Sequence, residues 1–377
     1  MKNFLLKIIL YLVRGSMSFI YFFIKLFPVN QKKVLMISRQ SDEISIDFQM
    51  LKIEYEKMDK DIKIKVLCKT IPKQFIKKIG YCFYIVKCMY HIATSRVCIV
   101  EGYVIPVSIL KHKKSLIIVQ IWHALGAIKK FGKQILDKKE GSRQIVAKIM
   151  KMHNNYTFIT APSNATREFY SEGFGTKKEK ILVLGMPRVD YLLNKDNLIE
   201  EKQKELIQQY PYLIDKKNIL YVPTFRKNEK TNIDELINKI DKEKYNLIIR
   251  LHPLEEKQIE KSYTISRKFA TLDLLKIADY VITDYSAASI EAAVLDKKTF
   301  FYLYDIDKYS QRRGLNVNLN QEMEGLCFDT IEPIIKMIDE NKYPIYQLEK
   351  FKNKYVETLD THNSLRIIQH IETLKQN

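Results

Sequence analysis

One short stretch of the chain combines a candidate proton acceptor with cations. In "IWHALGAIKKFG", His123 follows the chain's single tryptophan and precedes small residues and two lysines, Lys129 and Lys130. The apolar run before it (115–121) predicts a buried strand, so the histidine lies at the carboxyl end of a sheet, where ligands bind in open α/β folds. A histidine there can accept a proton near neutral pH. Taken alone, however, the stretch is better explained as an ordinary strand-to-helix turn.

Other polar side chains also follow predicted strands, and together they suit an anionic ligand. Arginines and lysines neutralise phosphate charge, and a helix beginning near Ser286 would offer free N–H groups to it, with the small Ala287 allowing close approach. Singly, Asp284 and Ser286 are better explained as N-caps, and the arginines could be surface cations. With His123, the set predicts transfer from a pyrophosphate-linked donor. Its members are Arg188, Asp190, Thr224, Arg226, Arg250, His252, Asp284, Tyr285 and Ser286.

The elements that would position these residues alternate between strand and helix, which predicts a doubly wound parallel sheet of the α/β class. Strands are predicted at 33–38, 62–68, 96–100, 115–121, 158–163, 180–185, 218–225, 246–251, 280–284 and 299–304. Helices are predicted at 73–93, 142–156 and 346–374, among others. The pattern restarts after a polar segment (194–217), the predicted hinge. We therefore expect two Rossmann-like domains, 29–195 and 196–377, facing a central cleft, with the last helix packing back.

Several functional classes lack their signatures. The chain contains no GxxxxGK[ST], complete GxGxxG, HExxH or GxSxG motif. Its cysteines show neither a CxxC pair nor zinc-ligand spacing, which favours free thiols in a reducing compartment. No cofactor is required by the sequence, no metal ligands are predicted, and assistance by a divalent metal is left open. The cysteines are Cys68, Cys82, Cys88, Cys98 and Cys327.

The positive charge is concentrated in the first part of the chain. The net charge is +19, and residues 1–155 contain 29 Lys and Arg against 10 Asp and Glu, which accounts for all of it. Such an uneven basic surface indicates an anionic partner: nucleic acid, acidic lipid or a polyanionic substrate. The aromatic residues between lysines at 79–91 are better explained as a packed helix than as a nucleic-acid surface.

The N-terminal segment (1–28) is predicted to be a membrane-associating helix. It is apolar and long enough to span a bilayer, but Lys7, Arg14 and Lys25 fall within about 20° of one another on a helical wheel. Crossing the membrane would bury these charges, whereas lying in the interface would keep them in water. We therefore expect an interfacial helix. A third possibility is that the helix packs its apolar face on the protein's own core.

Five motifs, in order along residues 115–315, resemble those of the CDP-glycerol:poly(glycerophosphate) glycerophosphotransferases, the teichoic acid primases and polymerases. The motifs are "IWHALGAIKKFG", "GMPRVD", "YVPTFR", "RLHP" and "ITDYSAASIEAAVLDKKTFFYLYDIDKYSQRRG". The resemblance implies a two-domain GT-B fold on the cytoplasmic face of the membrane. It also implies transfer of a polyol phosphate from a CDP-activated donor to a lipid-linked or growing acceptor, with release of CMP.

The resemblance also implies roles for individual residues. His123 matches the family's proposed general base, and His252 its second essential histidine, which is thought to contact the donor phosphates. Three positions depart from the family pattern: Ala124 replaces a glycine, Ala287 a serine and Glu291 an aspartate. The implied donor site comprises Thr224, Arg226, Arg250, Asp284, Ser286, Ala287, Glu291 and Arg313, the last in an Arg312-Arg313-Gly314 element. Lys129, Lys130 and Arg188 are predicted to bind acceptor or phosphate.

The sequence therefore predicts a peripheral membrane phosphotransferase of teichoic acid or capsule synthesis. The predicted partners are a CDP-polyol, a lipid-linked anionic acceptor and anionic lipid, without nucleic acid. One alternative is a nucleotide-sugar glycosyltransferase of the same fold. Another, of a different class, is a non-catalytic basic protein that binds membrane or nucleic acid. The sequence leaves open glycerol against ribitol, primase against polymerase, and the oligomeric state.

Overall fold

The chain forms two compact units in the computed structural model, which describes residues 2–72, 74–194, 197–226, 232–252, 255 and 259–376. Unit 1 comprises Met1–Ala124, Lys130–Asp190 and His362–Asn377, and unit 2 comprises Leu125–Lys129 and Tyr191–Thr361. The boundary predicted between residues 195 and 196 lies outside the described residues. The chain thus enters unit 2 for five residues directly after Ala124, then returns to unit 1.

Unit 1 contains a six-stranded sheet in which every described strand pair is parallel, with the order β2-β1-β3-β4-β5-β6. Its strands are β1 (Asn30–Ser38), β2 (Lys63–Cys68), β3 (Ser95–Glu101), β4 (Ile117–Gln120), β5 (Phe158–Ala161) and β6 (Ile181–Val183). The central strands are continuous buried apolar runs because helices cover both faces of a parallel sheet. All six strands lie where the sequence predicts them.

Unit 2 contains a five-stranded parallel sheet with the order β11-β10-β9-β7-β8. Its strands are β7 (Lys217–Val222), β8 (Tyr245–Ile249), β9 (Tyr280–Thr283), β10 (Lys298–Tyr302) and β11 (Cys327–Phe328). The first four are predicted by the sequence. The last is not, because it has only two residues, too few for a periodic signal.

Helices connect the strands, as a doubly wound fold requires. They are α1 (Lys2–Ile24), α2 (Ile46–Met58), α3 (Phe75–Ala93), α4 (Ile105–Ile109), α5 (Gln144–Ile149), α6 (Asn164–Phe174), α7 (Pro187–Leu193), α8 (Asn197–Gln209), α9 (Ile233–Lys239), α10 (Thr271–Ile277), α11 (Ala288–Val294), α12 (Ile306–Arg312), α13 (Leu319–Glu322), α14 (Glu332–Asp339), α15 (Ile345–Tyr355) and α16 (Asn363–Gln376). The predicted hinge segment contains helix α8.

Two predicted helices differ from the structure. The helix predicted at 142–156 ends at Ile149, because Lys151, His153 and Asn155 adopt positive φ angles of 45°, 60° and 74°, which no helix accommodates. The helix predicted at 346–374 is divided into α15 and α16. Hydropathy alone did not indicate either interruption.

A buried carboxylate holds the start of α16 in unit 1. Asp190 accepts hydrogen bonds from the backbone N–H groups of Asn363 (2.8 Å) and Ser364 (2.7 Å). These are orphan donors of a helix N-terminus, which a carboxylate satisfies well. Along α16, Ile367 and Ile371 enter the apolar core formed by the sheet and α2. Asp190, which the sequence analysis grouped with the polar residues that follow strands, therefore has a structural role at the start of α16.

Helix α1 presents most of its apolar surface outward. One side of the helix contacts the rest of unit 1. On that side, the hydroxyl of Tyr21 lies 2.9 Å from Nδ1 of His112, and Nη1 of Arg14 donates to the carbonyl of Ile149 (3.3 Å). The opposite arc is exposed, with Phe19 at 68% of its full accessibility. The helix is long and apolar enough to cross a membrane by length and composition, although such a helix is weak evidence of a span.

Candidate functional site

The loop after β4 holds His123 in unit 1 through an unusual backbone. Trp122 has a positive φ of 53°, a conformation that costs energy for a residue with a Cβ. The buried side chain of Gln120 stabilises it, since its Oε1 accepts from the N–H of Trp122 (2.9 Å) and of Gly102 (2.8 Å), while its Nε2 donates to the carbonyl of Gly102 (2.8 Å). Gln120 thus ties the ends of β3 and β4 together beside His123.

The surroundings of the imidazole are closely packed. The ring of His123 lies 4.0 Å from that of Trp122. Gly102 has a φ of 75°, and a Cβ there would lie 2.7 Å from Nε2 of Gln40 and 3.7 Å from Nδ1 of His123. The positive φ therefore favours glycine at this position, since the end of the exposed Gln40 side chain could move aside and 3.7 Å is an ordinary contact. No sequence pattern indicated Gly102 or Gln120, because their role depends on contacts between strands.

An aromatic cluster supports the indole. The Trp122 ring lies 4.4 Å from Phe131, 5.3 Å from Phe174 and 6.5 Å from His153. His153 is buried, with Nδ1 3.0 Å from the Tyr156 hydroxyl. Burial lowers the pKa of His153 to about 3, and the charges of Lys133 and Arg39 contribute to the decrease. His153 is therefore neutral at physiological pH and acts as a packing element.

Arg188, a predicted phosphate ligand, is engaged by a carboxylate in unit 1. Its Nε lies 3.0 Å from Oδ2 of the buried Asp47, its backbone N–H donates to Oδ1 (2.9 Å), and its Nη2 also pairs with Oδ2. Burial raises the pKa of the neighbouring Glu101 to about 7, with Asp47 adding to the increase. This pairing favours a structural role for Arg188, since breaking it would leave Asp47 buried and unpaired.

The segment that follows His123 in sequence is held in unit 2. The N–H of Asn316 donates to the carbonyl of Ile128 (2.8 Å), and Lys129 Nζ donates to Oγ1 of Thr224 (3.3 Å). Gly126 has a φ of 83°, and a Cβ there would lie 2.8 Å from Cδ1 of Ile290. Unit 2 therefore places Lys129 at the end of β7. Lys130, the other predicted lysine of this stretch, belongs to unit 1.

A buried arginine links three strand ends of unit 2. Arg226 bonds Oδ2 of Asp284 through Nη1 (2.7 Å), and both oxygens of Asp305 through Nε (2.7 Å) and Nη2 (2.9 Å). Asp284 also accepts from the N–H of Thr224 at 3.0 and 2.9 Å. The guanidinium lies 4.9 Å from the centre of the Tyr304 ring. Arg226 and Asp284, both predicted donor ligands, are thus paired with each other, and Arg226 has no exposed side-chain surface.

The start of α11 lies next to this network. Ser286 Oγ accepts from the N–H of Ala288 (3.3 Å), and the carbonyl of Ser286 accepts from the hydroxyl of Ser289 (2.9 Å). Ala287 is the N-cap residue. Ser286 is half-buried, whereas Glu291 is buried within the helix. Of the residues predicted along this helix, Ser286 and Ala287 therefore lie at its amino end and Glu291 in its interior.

The end of β8 forms a cavity in unit 2. The cavity has a volume of about 540 Å³ and is lined by Arg250, Glu255, Ser266 and Arg267, among others. Nη2 of Arg250 donates to the carbonyls of Ser266 (3.3 Å) and Phe269 (3.1 Å). Burial lowers the pKa of Arg250 to about 10, and the charge of Arg267 acts in the same direction. Arg250 therefore shapes the wall of this cavity and remains a cation.

His252 follows Arg250 and lies against an aromatic ring. Its imidazole stacks on Phe225, with ring centres 5.3 Å apart. Partial burial lowers the pKa of His252, and the charges of Lys129 and Arg267 lower it further. The ring is therefore neutral at physiological pH and keeps one N–H donor. Through this N–H group, the side chain can donate a hydrogen bond to an anionic ligand.

Two residues of the unit 2 network, Asp305 and Tyr309, were not predicted from the sequence, whereas their partner Tyr285 was. Asp305 supplies two of the bonds to Arg226, and the hydroxyl of Tyr285 donates to Oδ1 of Asp305 (3.1 Å). The ring of Tyr285 stacks on Tyr309 at 4.3 Å. Arg313, a predicted donor ligand, is half-buried and ends α12. Within the described part of the chain, no group of three or more His, Cys, Asp or Glu side chains could hold a metal ion.

Comparisons with known proteins agree with this architecture. Residues 19–373 match the profile of the family described as CDP-Glycerol:Poly(glycerophosphate) glycerophosphotransferase. The chain is 29% identical to a teichoic acid ribitol-phosphate primase of Bacillus spizizenii, over 99% of this chain and 98% of the relative. It is 28% identical to a teichoic acid glycerol-phosphate primase of Bacillus subtilis, over 95% and 96%.

Solved structures show the same fold. A variant of the wall teichoic acid polymerase TagF with CDPG superposes with a TM-score of 0.75 at 17% identity, over 99% of this chain and 98% of that one. The TagF likeness confirms the predicted GT-B type of α/β fold. At 17% sequence identity, the likeness to TagF is evidence for the fold and not for the function.

Proposed function

Because the chain belongs to the CDP-glycerol:poly(glycerophosphate) glycerophosphotransferase family, we propose that it transfers a polyol phosphate from a CDP-activated polyol to an acceptor hydroxyl and releases CMP. The proposed acceptor is a lipid-linked or polymeric chain of teichoic acid or capsule synthesis. The family match over nearly the whole chain carries the proposal. It agrees with the resemblance seen in the five motifs.

We assign the acceptor to unit 1 and its deprotonation to His123. The imidazole takes the proton of the acceptor hydroxyl, and the oxygen attacks the β-phosphorus of the CDP-polyol. A P–O bond to the acceptor forms as the bond to the CMP oxygen breaks, and CMP leaves with the electron pair. The backbone of Trp122, held by Gln120, orients the imidazole.

We assign the donor to unit 2. His252 can donate its N–H to the pyrophosphate, Lys129 adds a positive charge at Thr224, and Ser286 adds a hydroxyl at the start of α11. Such fixed donors stabilise the charge that develops as the phosphoryl group is transferred. Arg226 acts through Asp284, whose bonds to the Thr224 backbone fix the end of β7. We therefore describe Arg226 as a positioning residue.

The transfer and its polyol can be tested in one assay. Relatives named for ribitol phosphate and for glycerol phosphate are almost equally similar to this chain, at 29% and 28% identity, so both CDP-glycerol and CDP-ribitol belong in the assay. With lipid-linked acceptors, we expect CMP release and a product heavier by one or more polyol phosphates. Sugar transfer from a nucleotide sugar without CMP release would contradict the proposal and favour a glycosyltransferase.

We further propose that unit 1 lies on the cytoplasmic face of the membrane through α1. The exposed arc of this helix includes Leu12, Phe19 and Phe23, while Arg14 faces the protein. A helix in this orientation can bury its apolar arc among acyl chains. Lys7 and Lys25 share the side of Arg14, away from that arc, and add electrostatic attraction to anionic lipid. The structure thus differs from the expectation that water surrounds the whole basic stripe, since Arg14 contacts protein.

Vesicle binding tests this location. Phe19→Glu should weaken binding to anionic vesicles at least tenfold, because it places a charge in the apolar arc. The control is Met58→Glu, which changes an exposed methionine at the end of α2 and should leave binding unchanged. A protease site ahead of Lys2 that is cut only from outside intact cells would show a span and contradict the interfacial location.

A further inference from the structure

Unit 1 carries two further cations at the sheet edge where His123 lies. Four adjacent parallel strands, β2, β1, β3 and β4, end there and are followed by Lys69, Arg39, Tyr103 and His123 respectively. Neighbouring strands are about 4.8 Å apart, so three spacings separate the first loop from the last by about 14 Å. The topology therefore lines up a lysine, an arginine and the candidate base along one edge.

Arg39 has an environment that suits a phosphate. Its guanidinium lies over the ring of Tyr103, with Cζ 5.1 Å from the ring centre, and it makes no ion pair or hydrogen bond within the described residues. The side chain is largely covered, and burial lowers its pKa. A guanidinium presents a fork of donors that matches phosphate oxygens. Here that fork is not occupied by a carboxylate of the described chain.

Lys69 extends the positive edge toward α3. Its Nζ lies 5.4 Å from the centre of the Tyr84 ring, and that ring is 5.4 Å from the ring of Tyr81. One acid is close by: Asp42 accepts from the N–H (2.6 Å) and hydroxyl (2.8 Å) of Thr70, and these bonds lower its pKa, with Lys69 acting in the same direction. With Arg39, the two cations outnumber Asp42, while Glu101 at the end of β3 is buried with a pKa raised to about 7.

Beyond Lys69, helix α3 presents an apolar stripe to solvent. Its exposed side chains recur at helical spacing, with Ile76 81% and Phe83 74% exposed. The Tyr90 end of the stripe lies beside the segment that follows α1, since the rings of Tyr90 and Phe27 are 5.4 Å apart. The stripe consists of Ile76, Ile79, Phe83, Val86 and Tyr90.

We propose that Arg39 and Lys69 bind the phosphate group of the lipid-linked acceptor, with its lipid chain toward the α3 stripe and its reactive hydroxyl toward His123. The identification of the ligand as the acceptor rests on the proposed function. The alignment of both cations with the base along one edge carries the proposal, together with the apolar stripe of α3, the helix that Lys69 contacts through Tyr84. An amphiphilic acceptor likewise presents lipid, phosphate and hydroxyl in succession. A headgroup of the bulk membrane would need no such alignment with His123.

Equilibrium dialysis can test the site without turnover. The probes are farnesyl diphosphate, farnesol and inorganic pyrophosphate, each with the full chain and with saturating CDP to occupy the donor side. We expect farnesyl diphosphate to bind at least tenfold more tightly than either farnesol or pyrophosphate. Equal affinity for farnesol would show that phosphate is not recognised, and equal affinity for pyrophosphate would show a site for free phosphate; either result would overturn the proposal.

Variants locate the site. Charge-assisted hydrogen bonds are worth about 1.5–3 kcal/mol, so Arg39→Ala should weaken farnesyl diphosphate binding about 10- to 100-fold, with partial recovery in Arg39→Lys. Lys69→Ala should give a smaller loss, and because Lys69 is exposed the fold is not at risk. Lys60→Ala, which changes an exposed lysine between α2 and β2, is the matched control and should bind as the wild type does. Wild-type affinity in both Arg39→Ala and Lys69→Ala would overturn the proposal.

Two further measurements distinguish a dedicated phosphate site from general attraction to lipid headgroups and from the transfer reaction itself. Binding to phosphatidylglycerol vesicles should change less than threefold in Arg39→Ala; a loss as large as that for farnesyl diphosphate would indicate general headgroup attraction and contradict the proposal. CMP release by the wild type reports on the proposed function independently. If the wild type released no CMP yet bound farnesyl diphosphate through Arg39, the function would fail and the phosphate site would stand.

Discussion

The first strand of each unit is followed by an arginine, and the two arginines have opposite surroundings. Arg226, after β7, has no exposed side-chain surface and lies between the carboxylates of Asp284 and Asp305. Arg39, after β1, is partly exposed over the ring of Tyr103 and has no carboxylate partner within the described residues. The same residue type at the same edge of the fold therefore serves two purposes.

This difference indicates how the two units divide the chemistry. A buried arginine that is saturated by carboxylates fixes backbone, here the ends of β7 and β9 and the start of α12. An arginine without a carboxylate keeps its hydrogen-bonding capacity for a ligand. The sequence predicted Arg226 as a ligand because it could not show that Asp305 lies beside it. No local pattern singled out Arg39.

The largest expected effect is on stability in unit 2. Arg226→Ala would leave Asp284 and Asp305 without their counter-ion, and breaking a buried pair in this way costs about 3–5 kcal/mol. Arg39→Ala should cost less than about 1 kcal/mol, because no carboxylate depends on Arg39. Denaturant unfolding of both variants measures the contrast. Equal losses would show that the two arginines do not differ as described.

A smaller effect concerns pH and unit 1. The pKa of His153 is lowered to about 3, whereas an unfolded histidine titrates near ~6.5. Below pH ~6.5 the unfolded chain binds the proton and the folded chain does not, so stability falls with decreasing pH by about 1.4 kcal/mol per unit. At pH 5 the loss from this one group is about 2 kcal/mol. Above pH ~7, His153 causes no such loss of stability.

Comparison with His153→Gln isolates that contribution. Glu101 acts in the opposite sense, since its raised pKa of about 7 makes the folded state the better proton binder as pH falls. The contributions of Glu101 and of other carboxylates to the pH dependence of stability are the same in wild type and variant, so they cancel in the difference. The wild type should lose about 2 kcal/mol more than His153→Gln between pH 7 and pH 5. Parallel pH profiles would mean that His153 is accessible to protons in the folded state.

The sequence predicted the strands far better than it predicted side-chain partners. Strands buried on both faces are continuous apolar runs, so a short stretch such as Val34–Ile37 is sufficient to identify one. The contacts of Gln120 with Gly102 and of Arg226 with Asp305 join residues 18 and 79 positions apart. Such pairs form only through the order of strands in the sheet, which no local pattern specifies.

Helix α1 shows the same limit in another form. Its periodicity predicts that Lys7, Arg14 and Lys25 share one side. Which side meets the protein depends on tertiary contacts, here the bond from Arg14 to the carbonyl of Ile149 and that between Tyr21 and His112. The helical wheel therefore predicts which residues share a side of α1, but not whether that side contacts protein or water.

The most direct test of the division between units is His123→Ala, measured for both turnover and donor binding. If His123 serves the acceptor in unit 1, turnover measured by CMP release should fall about 10²- to 10⁴-fold. The dissociation constant of the CDP-polyol, measured by calorimetry, should remain within about twofold, whereas His252→Ala in unit 2 should weaken binding. Near-normal turnover in His123→Ala, or loss of donor affinity equal to that in His252→Ala, would contradict the assignment.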